Sequence, residues 1–215
     1  MKRFLLALGL LLGLWSWPAA AQVVPCVGVG GVNTVPQVGV SCASEPAMPS
    51  YGAPSIGLIP GAAATDVACI GGAANKVIRI QQIKVSGSGT AIAVPVIITK
   101  HASLDTGGTL SLTTAIPVPY ALDSANAAAV ATTRAWTANP TIADAAPGFI
   151  DSAELGVAAT SVGVISGNIW FDYRERNFIQ AVTLRKATEE VCVNLNGTSP
   201  TALLNVTFQW TESAQ

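Results

Sequence analysis

Residues 204–211 have the sequence LNVTFQWT, in which apolar and polar side chains alternate without a break. Successive side chains of a β-strand point to opposite faces, so this alternation is typical of a strand with one buried and one hydrated face. Residues 191–196 show the same pattern, and residues 178–185 would place Phe178, Gln180, Val182 and Leu184 on one face of a further strand. We therefore predict that residues 177–210 form three consecutive strands of an antiparallel meander, whose apolar face packs on a second sheet.

The composition favours strands and turns over helices. Half of the 215 residues are hydrophobic and only 11% are charged, and the chain contains 20 glycines and 13 prolines. No segment carries Leu, Glu and Lys at the spacing of an amphipathic helix. We predict an all-β protein with one domain at residues 61–215, a single antiparallel, jelly-roll-like β-sandwich of about eight strands.

One strand of this domain is predicted to contain an irregularity. Ile78 and Ile80 share one face of the strand over residues 76–85, whereas Ile83 and Val85 share the other. A β-bulge, which adds one residue to one strand of a pair, would turn all four side chains toward the core. We place this bulge near Gln81 and Gln82.

The N-terminus has the pattern of a secretory signal peptide. Lys2 and Arg3 are followed by an apolar run over residues 4–17 and then by three alanines that end at Ala21. The run is shorter than the ~20 apolar residues of a membrane span, so we favour a cleaved signal peptide at residues 1–21 over an anchor. The mature protein is then expected in the periplasm or outside the cell, without a stable membrane anchor.

Export makes the four cysteines of the mature chain candidates for two disulfides. Cys26, Cys42, Cys69 and Cys192 allow three connectivities, of which we favour Cys26–Cys42 and Cys69–Cys192. A metal site is not expected, because no two cysteines have the C-x-x-C spacing and His101 is far from all of them in sequence. We expect no cofactor.

Residues 22–60 differ from the rest of the chain in composition. They contain one charged residue, Glu45, and are rich in Val, Gly, Pro, Ser and Ala. Prolines at 46, 49, 54 and 60 disfavour long regular elements. We interpret this segment as an extended arm or linker, and a functional alternative is that the arm packs on a neighbouring subunit.

The charge balance and the motifs argue against nucleic-acid binding and catalysis. Removing Lys2 and Arg3 from the 11 basic residues leaves 9 against 12 acidic ones, a net charge of −3, so no basic surface for nucleic acid is expected. His101 is the sole histidine, and no G-x-S-x-G motif occurs. The carboxylates available for glycoside hydrolysis are scattered, for example Asp144, Asp151, Glu154 and Asp172, so we expect no enzymatic activity.

Two sets of residues are candidates for contacts with a ligand or partner. Tyr173, Arg174 and Arg176 lie in the most charged segment and are residue types that anchor interfaces, although local ion pairing at a hydrated corner would also explain them. Trp136 and Trp170 are either core residues or exposed platforms on which a sugar ring can stack.

The order of several segments resembles a known group of proteins. The segments are KVIRI at 76–80, IKVSG at 83–87, TKHAS at 99–103, TGGT at 106–109, DS at 123–124, AWTANP at 135–140, VCVNLNG at 191–197 and FQWTE at 208–212. Over residues 65–212 the chain resembles a loosely defined group of small, jelly-roll-like β-sandwich virion proteins of tailed phages and prophages. The signal peptide and the paired cysteines are departures from that group.

Three functions follow in order of preference. The resemblance and the low charge favour a non-enzymatic structural or assembly protein that forms a homo-oligomer or binds other structural proteins, exported according to its signal peptide or else part of a virion. The second function is an exported carbohydrate- or surface-binding module of the lectin or adhesin type, with a glycan as its ligand. The third is a hydrolase.

Overall fold

The computed structural model describes residues 48–111, 117–144, 146–159, 167–174 and 180–215. Over these residues the chain forms two antiparallel β-sheets that pack face to face, which confirms the predicted β-sandwich. The strands are β1 (Ser50–Leu58), β2 (Ala64–Gly71), β3 (Lys76–Ser88), β4 (Ile92–His101), β5 (Thr109–Leu110), β6 (Tyr120–Ala121), β7 (Thr132–Ala138), β8 (Gly148–Val157), β9 (Asn168–Asp172), β10 (Val182–Leu184), β11 (Glu190–Thr198) and β12 (Leu203–Ala214).

The strands alternate between the two sheets along much of the chain, as in jelly-roll-like sandwiches. Sheet 1 has the order β10-β3-β12-β1-β6, and β9 pairs with β3 on the same side as β10. Sheet 2 has the order β5-β7-β2-β11-β4-β8. The long strand β12 lies at the centre of sheet 1, between β3 and β1, and β11 lies at the centre of sheet 2, between β2 and β4.

The core lies between the inner faces of the two sheets. Alternate residues of the two central strands β11 and β12 point into it and are fully or almost fully buried: Val191, Val193, Leu195, Leu204, Val206, Phe208 and Trp210. Tyr51 of β1 stacks on Trp210, with 5.8 Å between the ring centroids. The alternation that predicted these strands therefore also predicted correctly which side chains are buried.

The predicted C-terminal meander is wrong, although its three strands exist. β10 pairs with β3, β11 pairs with β2 and β4, and β12 pairs with β3 and β1. The chain crosses from sheet 2 to sheet 1 between β11 and β12, so the two strands face each other across the core. The alternation of apolar and polar side chains indicates which face of a strand is buried, but it does not indicate which strand lies beside it.

The predicted bulge in β3 is confirmed. Gln82 lies opposite Gln209, but the next pair joins Ile80 to Trp210, so Gln81 is the extra residue opposite β12. Its carbonyl oxygen accepts a hydrogen bond of 2.8 Å from the backbone N–H of Tyr173. The bulge turns all four apolar side chains on either side of it into the core, where each is fully buried: Ile78, Ile80, Ile83 and Val85.

Among the described residues, the sandwich includes a strand before residue 61, where the sequence predicted that the domain begins. β1 lies in sheet 1 and pairs with β12 from Ser50 onward, including a pair between Pro54 and Thr207. On its other side β1 pairs with β6 through Tyr51 and Gly52 only. Among the described residues Pro54 therefore has a paired strand on one side, which is the setting in which a sheet tolerates proline.

One of the two predicted disulfides is confirmed. Cys69 of β2 lies directly opposite Cys192 of β11, with 4.1 Å between the Cα atoms, and both side chains are fully buried. Cys26, Cys42, the predicted signal peptide and residues 22–47 of the predicted arm lie outside the described residues. Within the described part of the chain, no helix has the length and hydropathy that a membrane span requires.

Candidate functional site

The two candidate tryptophans lie in different sheets and in different environments. Trp136 of β7 is 2% exposed and packs against Cys69 and Cys192 on the outer side of sheet 2. Trp170 of β9 is 52% exposed on sheet 1. The sequence left open whether each tryptophan is buried or exposed. Trp136 is therefore buried, and Trp170 is exposed.

The charged segment after β9 forms a local ion pair rather than a set of free anchors. The Arg174 Nε atom donates to Asp172 Oδ1 at 2.8 Å, and its Nη2 atom contacts Asp172 Oδ2. Tyr173 is buried, and its burial, followed by the nearby charge of Asp151, raises the pKa of its phenol. Arg176 lies outside the described residues. The contacts of Arg174 with Asp172 match the alternative explanation of this segment, in which charged residues at a hydrated corner pair with each other.

The structure brings together a buried polar cluster that sequence reasoning did not predict. It lies on the outer side of sheet 2, on the face opposite the core. Its members come from β2, β4, β7 and β11 and from the segment that follows β4: Asp66, Thr99, His101, Asp105, Arg134, Glu190 and Asn194. The carboxyl groups and the imidazole are at most 1% exposed, because the segment after β4 folds back over them.

One half of the cluster surrounds Asp66. Its Oδ1 atom accepts a hydrogen bond of 2.8 Å from Asn194 Nδ2 and a longer one of 3.4 Å from the hydroxyl of Thr99. Its Oδ2 atom lies 3.3 Å from His101 Nε2, and the same nitrogen lies 3.0 Å from Thr99 Oγ1. The Asp105 carboxyl group is a further neighbour, and it raises the pKa of Asp66.

The other half of the cluster surrounds Glu190. One of its oxygens accepts a hydrogen bond from the backbone N–H of Asp105, and the other forms an ion pair with Arg134. Arg134 also donates from Nη1 to the carbonyl oxygen of Asp105 at 2.8 Å, and its guanidinium lies 5.2 Å from the ring centroid of Trp136. These contacts fix the covering segment to the sheet.

Burial dominates the electrostatics of the cluster. It raises the pKa of Asp66 to about 7, and contact with Asp105 adds to this rise while Asn194 opposes it. Burial also raises the pKa of Glu190 to about 7, against the lowering effects of the Asp105 N–H and Arg134. Burial lowers the pKa of His101, which favours the neutral imidazole.

The arrangement of His101 does not match that of a hydrolase. In a Ser-His-Asp triad one ring nitrogen binds the nucleophile and the other binds the carboxylate. Here Thr99 and Asp66 both approach Nε2, and His101 is fully buried. Within the described part of the chain, Thr99 and His101 are therefore both closed off from solvent.

The cluster does contain groups that ligate metals. Ligand atoms of Asp66, His101 and Cys192 lie within 4.8 Å of one another, and so do those of Cys69, Asp105, Glu190 and Cys192. His101 is far from the cysteines in sequence, which argued against a metal site. The pairing of β4 with β11 nevertheless brings His101 close to Cys192.

A signal for the cluster was present in the sequence. Glu190, Cys192 and Asn194 occupy the polar phase of one strand. A cysteine in a disulfide is among the most buried residue types, so its presence in that phase indicates a covered face rather than a hydrated one. Asp66 and Asp105 carry no comparable signal, because they reach the cluster through strand pairing and loop folding.

The outer face of sheet 1 carries an exposed aromatic side chain among polar ones. Trp170 donates from Nε1 to Asn168 Oδ1 at 3.1 Å, and the Lys84 ammonium lies 4.8 Å from its ring centroid. Lys84 is paired with Trp170 on one side and with Thr207 on the other. The tryptophan therefore stands at one edge of a continuous polar row.

The opposite edge of the same face is apolar, and we call it the apolar edge. Tyr120 lies opposite Gly52 and is 77% exposed, because its neighbour Ala121 pairs with the inward-facing Tyr51. Tyr120 and Leu122 form this edge, and a Cβ atom at Gly52 would lie 3.6 Å from Leu122 Cδ2. Further exposed large apolar side chains follow along β1 and before β6: Ile56, Ile59 and Val118.

Two places in the molecule are therefore candidates for a functional site. The buried polar cluster on sheet 2 holds charge away from solvent, and the outer face of sheet 1 presents apolar and aromatic side chains to it. Comparison of the chain with protein-family models, with curated proteins and with solved structures finds no match.

Proposed function

We propose that this chain is a non-enzymatic, exported structural protein that assembles with copies of itself through the apolar edge of sheet 1. The observation that supports this proposal is the pair of exposed side chains Tyr120 and Leu122 beside Gly52, with further exposed large apolar side chains along β1 and before β6. Contiguous apolar surface that is rimmed by polar residues marks interaction sites on soluble proteins. The export part of the proposal rests on the signal-peptide pattern of residues 1–21.

The chemistry of the edge favours a second copy of the chain as the partner. Its members, together with Gly52 and Pro54, carry no charge, so two copies can face each other without repulsion between like charges. Polar side chains of Thr207 and Gln209 continue the same face and can form the rim of the interface. Two-fold symmetry is the commonest way in which one patch binds itself.

The experiment is a measurement of mass in solution. We expect the mature protein to form a dimer or a larger oligomer by light scattering, and the double substitution Tyr120→Ser with Leu122→Ser to shift it to the monomer. Phe149→Ser is the matched control, since Phe149 is 73% exposed but lies on β8 of sheet 2. A monomeric wild-type protein, or equal dissociation by the control, would contradict the proposal.

A second candidate function is binding of a surface glycan, and Trp170 is the observation that favours it. The indole ring is exposed on a flat sheet face and is held by Asn168 and Lys84. An aromatic ring supplies an apolar face for a sugar, and neighbouring amide and hydroxyl groups can bind its hydroxyls. Ser86 and Asn205 extend this polar surface from β3 and β12.

This candidate is tested with Trp170→Ala and Trp170→Phe. On immobilised polysaccharides and cell-wall preparations we expect retention of the wild-type protein, loss with alanine and partial retention with phenylalanine. The Tyr120→Ser and Leu122→Ser protein serves as the control that separates glycan binding from self-association. Equal retention of the wild-type protein and Trp170→Ala would exclude Trp170 as the contact.

A further inference from the structure

We propose that the outer face of sheet 1 beside Trp170 binds an acidic glycan, and that the carboxylate of one sugar unit lies between Lys84 and the side-chain amide of Asn168. The site is the one described above for glycan binding, so the assignment of an acidic ligand rests on that second candidate function. It does not depend on self-association through the apolar edge, which lies at the other side of the same face.

The strand register places the side chains of this site next to one another. Lys84 lies opposite Trp170, and Ser86 lies opposite Asn168. On the other side of β3, Ser86 lies opposite Asn205 of β12. Neighbouring strands are ~4.8 Å apart, and alternate residues of one strand are ~6.8 Å apart. The five side chains therefore surround one small area of the surface.

The two asparagines of the site offer hydrogen-bond donors to a ligand. Asn168 Oδ1 accepts a hydrogen bond of 3.1 Å from Trp170 Nε1, and Asn205 Oδ1 accepts one of 2.8 Å from the backbone N–H of Gly57. An indole and a backbone amide can only donate, so the carboxamide oxygens must face them. The NH₂ groups of both side chains make no hydrogen bond within the described part of the chain.

Lys84 adds a positive charge that no carboxylate balances among the residues that the structure describes. The ion pairs there join other side chains. The ammonium lies 4.8 Å from the ring centroid of Trp170. Asp172, two residues from Trp170 on β9, pairs with Arg174 and therefore does not neutralise Lys84. An ammonium carries three N–H donors and no acceptor, so it adds to the excess of donors.

A cation among amide donors favours an anionic ligand over a neutral one. A carboxylate only accepts hydrogen bonds, and its bonds to an ammonium are charge-assisted and stronger than those of a neutral hydroxyl. A sugar hydroxyl must also donate its own proton to an acceptor.

The aromatic side chain indicates that the acid is carried by a sugar. Trp170 stays 52% exposed with the ammonium beside it, so an apolar ring surface and a charge are available side by side. Indole rings supply apolar surface on which a sugar ring can pack. A uronic acid combines a sugar ring and a carboxylate in one unit, and it is the ligand class that matches both groups.

The test is binding of the mature protein to polygalacturonate and to the same polymer after methyl esterification of its carboxyl groups. The two polymers share one sugar ring and differ in charge. We expect binding to the acidic polymer to be tighter by about 10-fold or more, the scale of one charge-assisted hydrogen bond. Polyglutamate, which has the charge but no sugar ring, is expected to bind more weakly than polygalacturonate.

Three variants locate the effect. Lys84→Gln should weaken binding to polygalacturonate by about 10-fold or more and leave binding to the methyl ester unchanged. Asn168→Asp retains an oxygen for Trp170 Nε1 but places a carboxylate beside Lys84, so it should remove the preference for the acidic polymer. Lys186→Gln is the matched control, because Lys186 is exposed in the turn before β11 and its loss changes the net charge equally.

Four results would overturn the assignment. Equal affinity for the acidic and the esterified polymer would leave glycan binding in place and remove the acid from it. Binding to neither polymer would exclude the acidic ligand, and glycan binding as a whole would fail only if the neutral polysaccharides also showed no retention. Equal losses in Lys84→Gln and Lys186→Gln would show that overall charge attracts the polymer. Equal binding to polyglutamate would indicate an acidic peptide.

Discussion

Among single residues, the buried carboxyl groups give the molecule an unusual dependence on pH. Burial raises the pKa of Asp66 from 3.8 to about 7 and that of Glu190 from 4.5 to about 7. Between about pH 4 and 7 the folded protein therefore binds protons that the unfolded chain has released. Their contribution to the free energy of unfolding is fully present below about pH 4 and is lost as the pH rises through about 7.

We expect urea unfolding of the protein to show a decrease in stability from pH 5 to pH 8. Asp66→Asn should flatten this dependence, because the amide is neutral like the protonated carboxyl group. The variant should match the wild-type protein near pH 5 and exceed it at pH 8. An unchanged slope in the variant would show that Asp66 does not take up the proton.

The disulfide between β2 and β11 provides the second prediction at the scale of residues. Cys69 and Cys192 are separated by 123 positions, and in the chain-entropy model a bond that closes a loop of this size contributes ~4–5 kcal/mol. We expect Cys69→Ala with Cys192→Ala to lower the free energy of unfolding by about this amount. A loss below ~1 kcal/mol would show that strand pairing alone already restricts the two cysteines.

At the scale of elements, the turn after β2 depends on a close approach between two backbones. The N–H of Gly72 donates to the carbonyl oxygen of Glu189 at 2.8 Å. A Cβ atom at Gly72 would collide with the carbonyl oxygen of Lys186, which belongs to the turn before β11. Gly156 in β8 is the matched control, because a Cβ atom there meets nothing within 4 Å.

We expect Gly72→Ala to destabilise the protein by about 2–3 kcal/mol, the usual cost of an overpacked site that shifts backbone. Gly156→Ala should change stability by less than ~0.5 kcal/mol. Both values can be measured by thermal and urea unfolding at one pH. Equal effects of the two substitutions would mean that the turn after β2 adapts without cost.

The sequence predicted elements better than it predicted their neighbours. Alternation identified β12, and the phase change identified a bulge near Gln81 and Gln82, because both depend only on which way a side chain points. The meander was wrong because adjacency in sequence was taken for adjacency in the sheet. Pairing depends on how the whole core closes, and no local pattern in residues 177–210 contains that information.

The buried polar cluster shows the same limit for a site. His101 was identified as the sole histidine, but its partners Asp66 and Asp105 were not. Asp66 of β2 and His101 of β4 have one strand, β11, between them in sheet 2, and Asp105 returns through a loop. The residues of a site that is assembled from separate strands carry no fixed spacing, unlike the residues of a motif that lies on one turn or helix.

In the molecule as a whole, the two outer faces have different roles. Polar groups on the outer face of sheet 2 are covered by the segment after β4 and hold that segment in place. On sheet 1, Tyr120 and Trp170 remain exposed at opposite edges of one face, four strand spacings or roughly 19 Å apart. The outer face of sheet 2 thus buries its charged groups, and the outer face of sheet 1 is the one on which the proposed contacts with partners lie.

The last prediction concerns the destination of the whole chain. If residues 1–21 are a cleaved signal peptide, the mature protein begins at Gln22 and has no free thiol under denaturing, non-reducing conditions. Intact mass spectrometry with a thiol-reactive label measures both properties in one sample. Processed, fully oxidised protein in the periplasm or supernatant would support the exported assembly protein, whereas an intact Met1 with four reactive thiols would contradict export. In that case, recovery of the chain in sedimentable particles alongside capsid or tail proteins would favour a virion component, because such particles assemble in the cytoplasm.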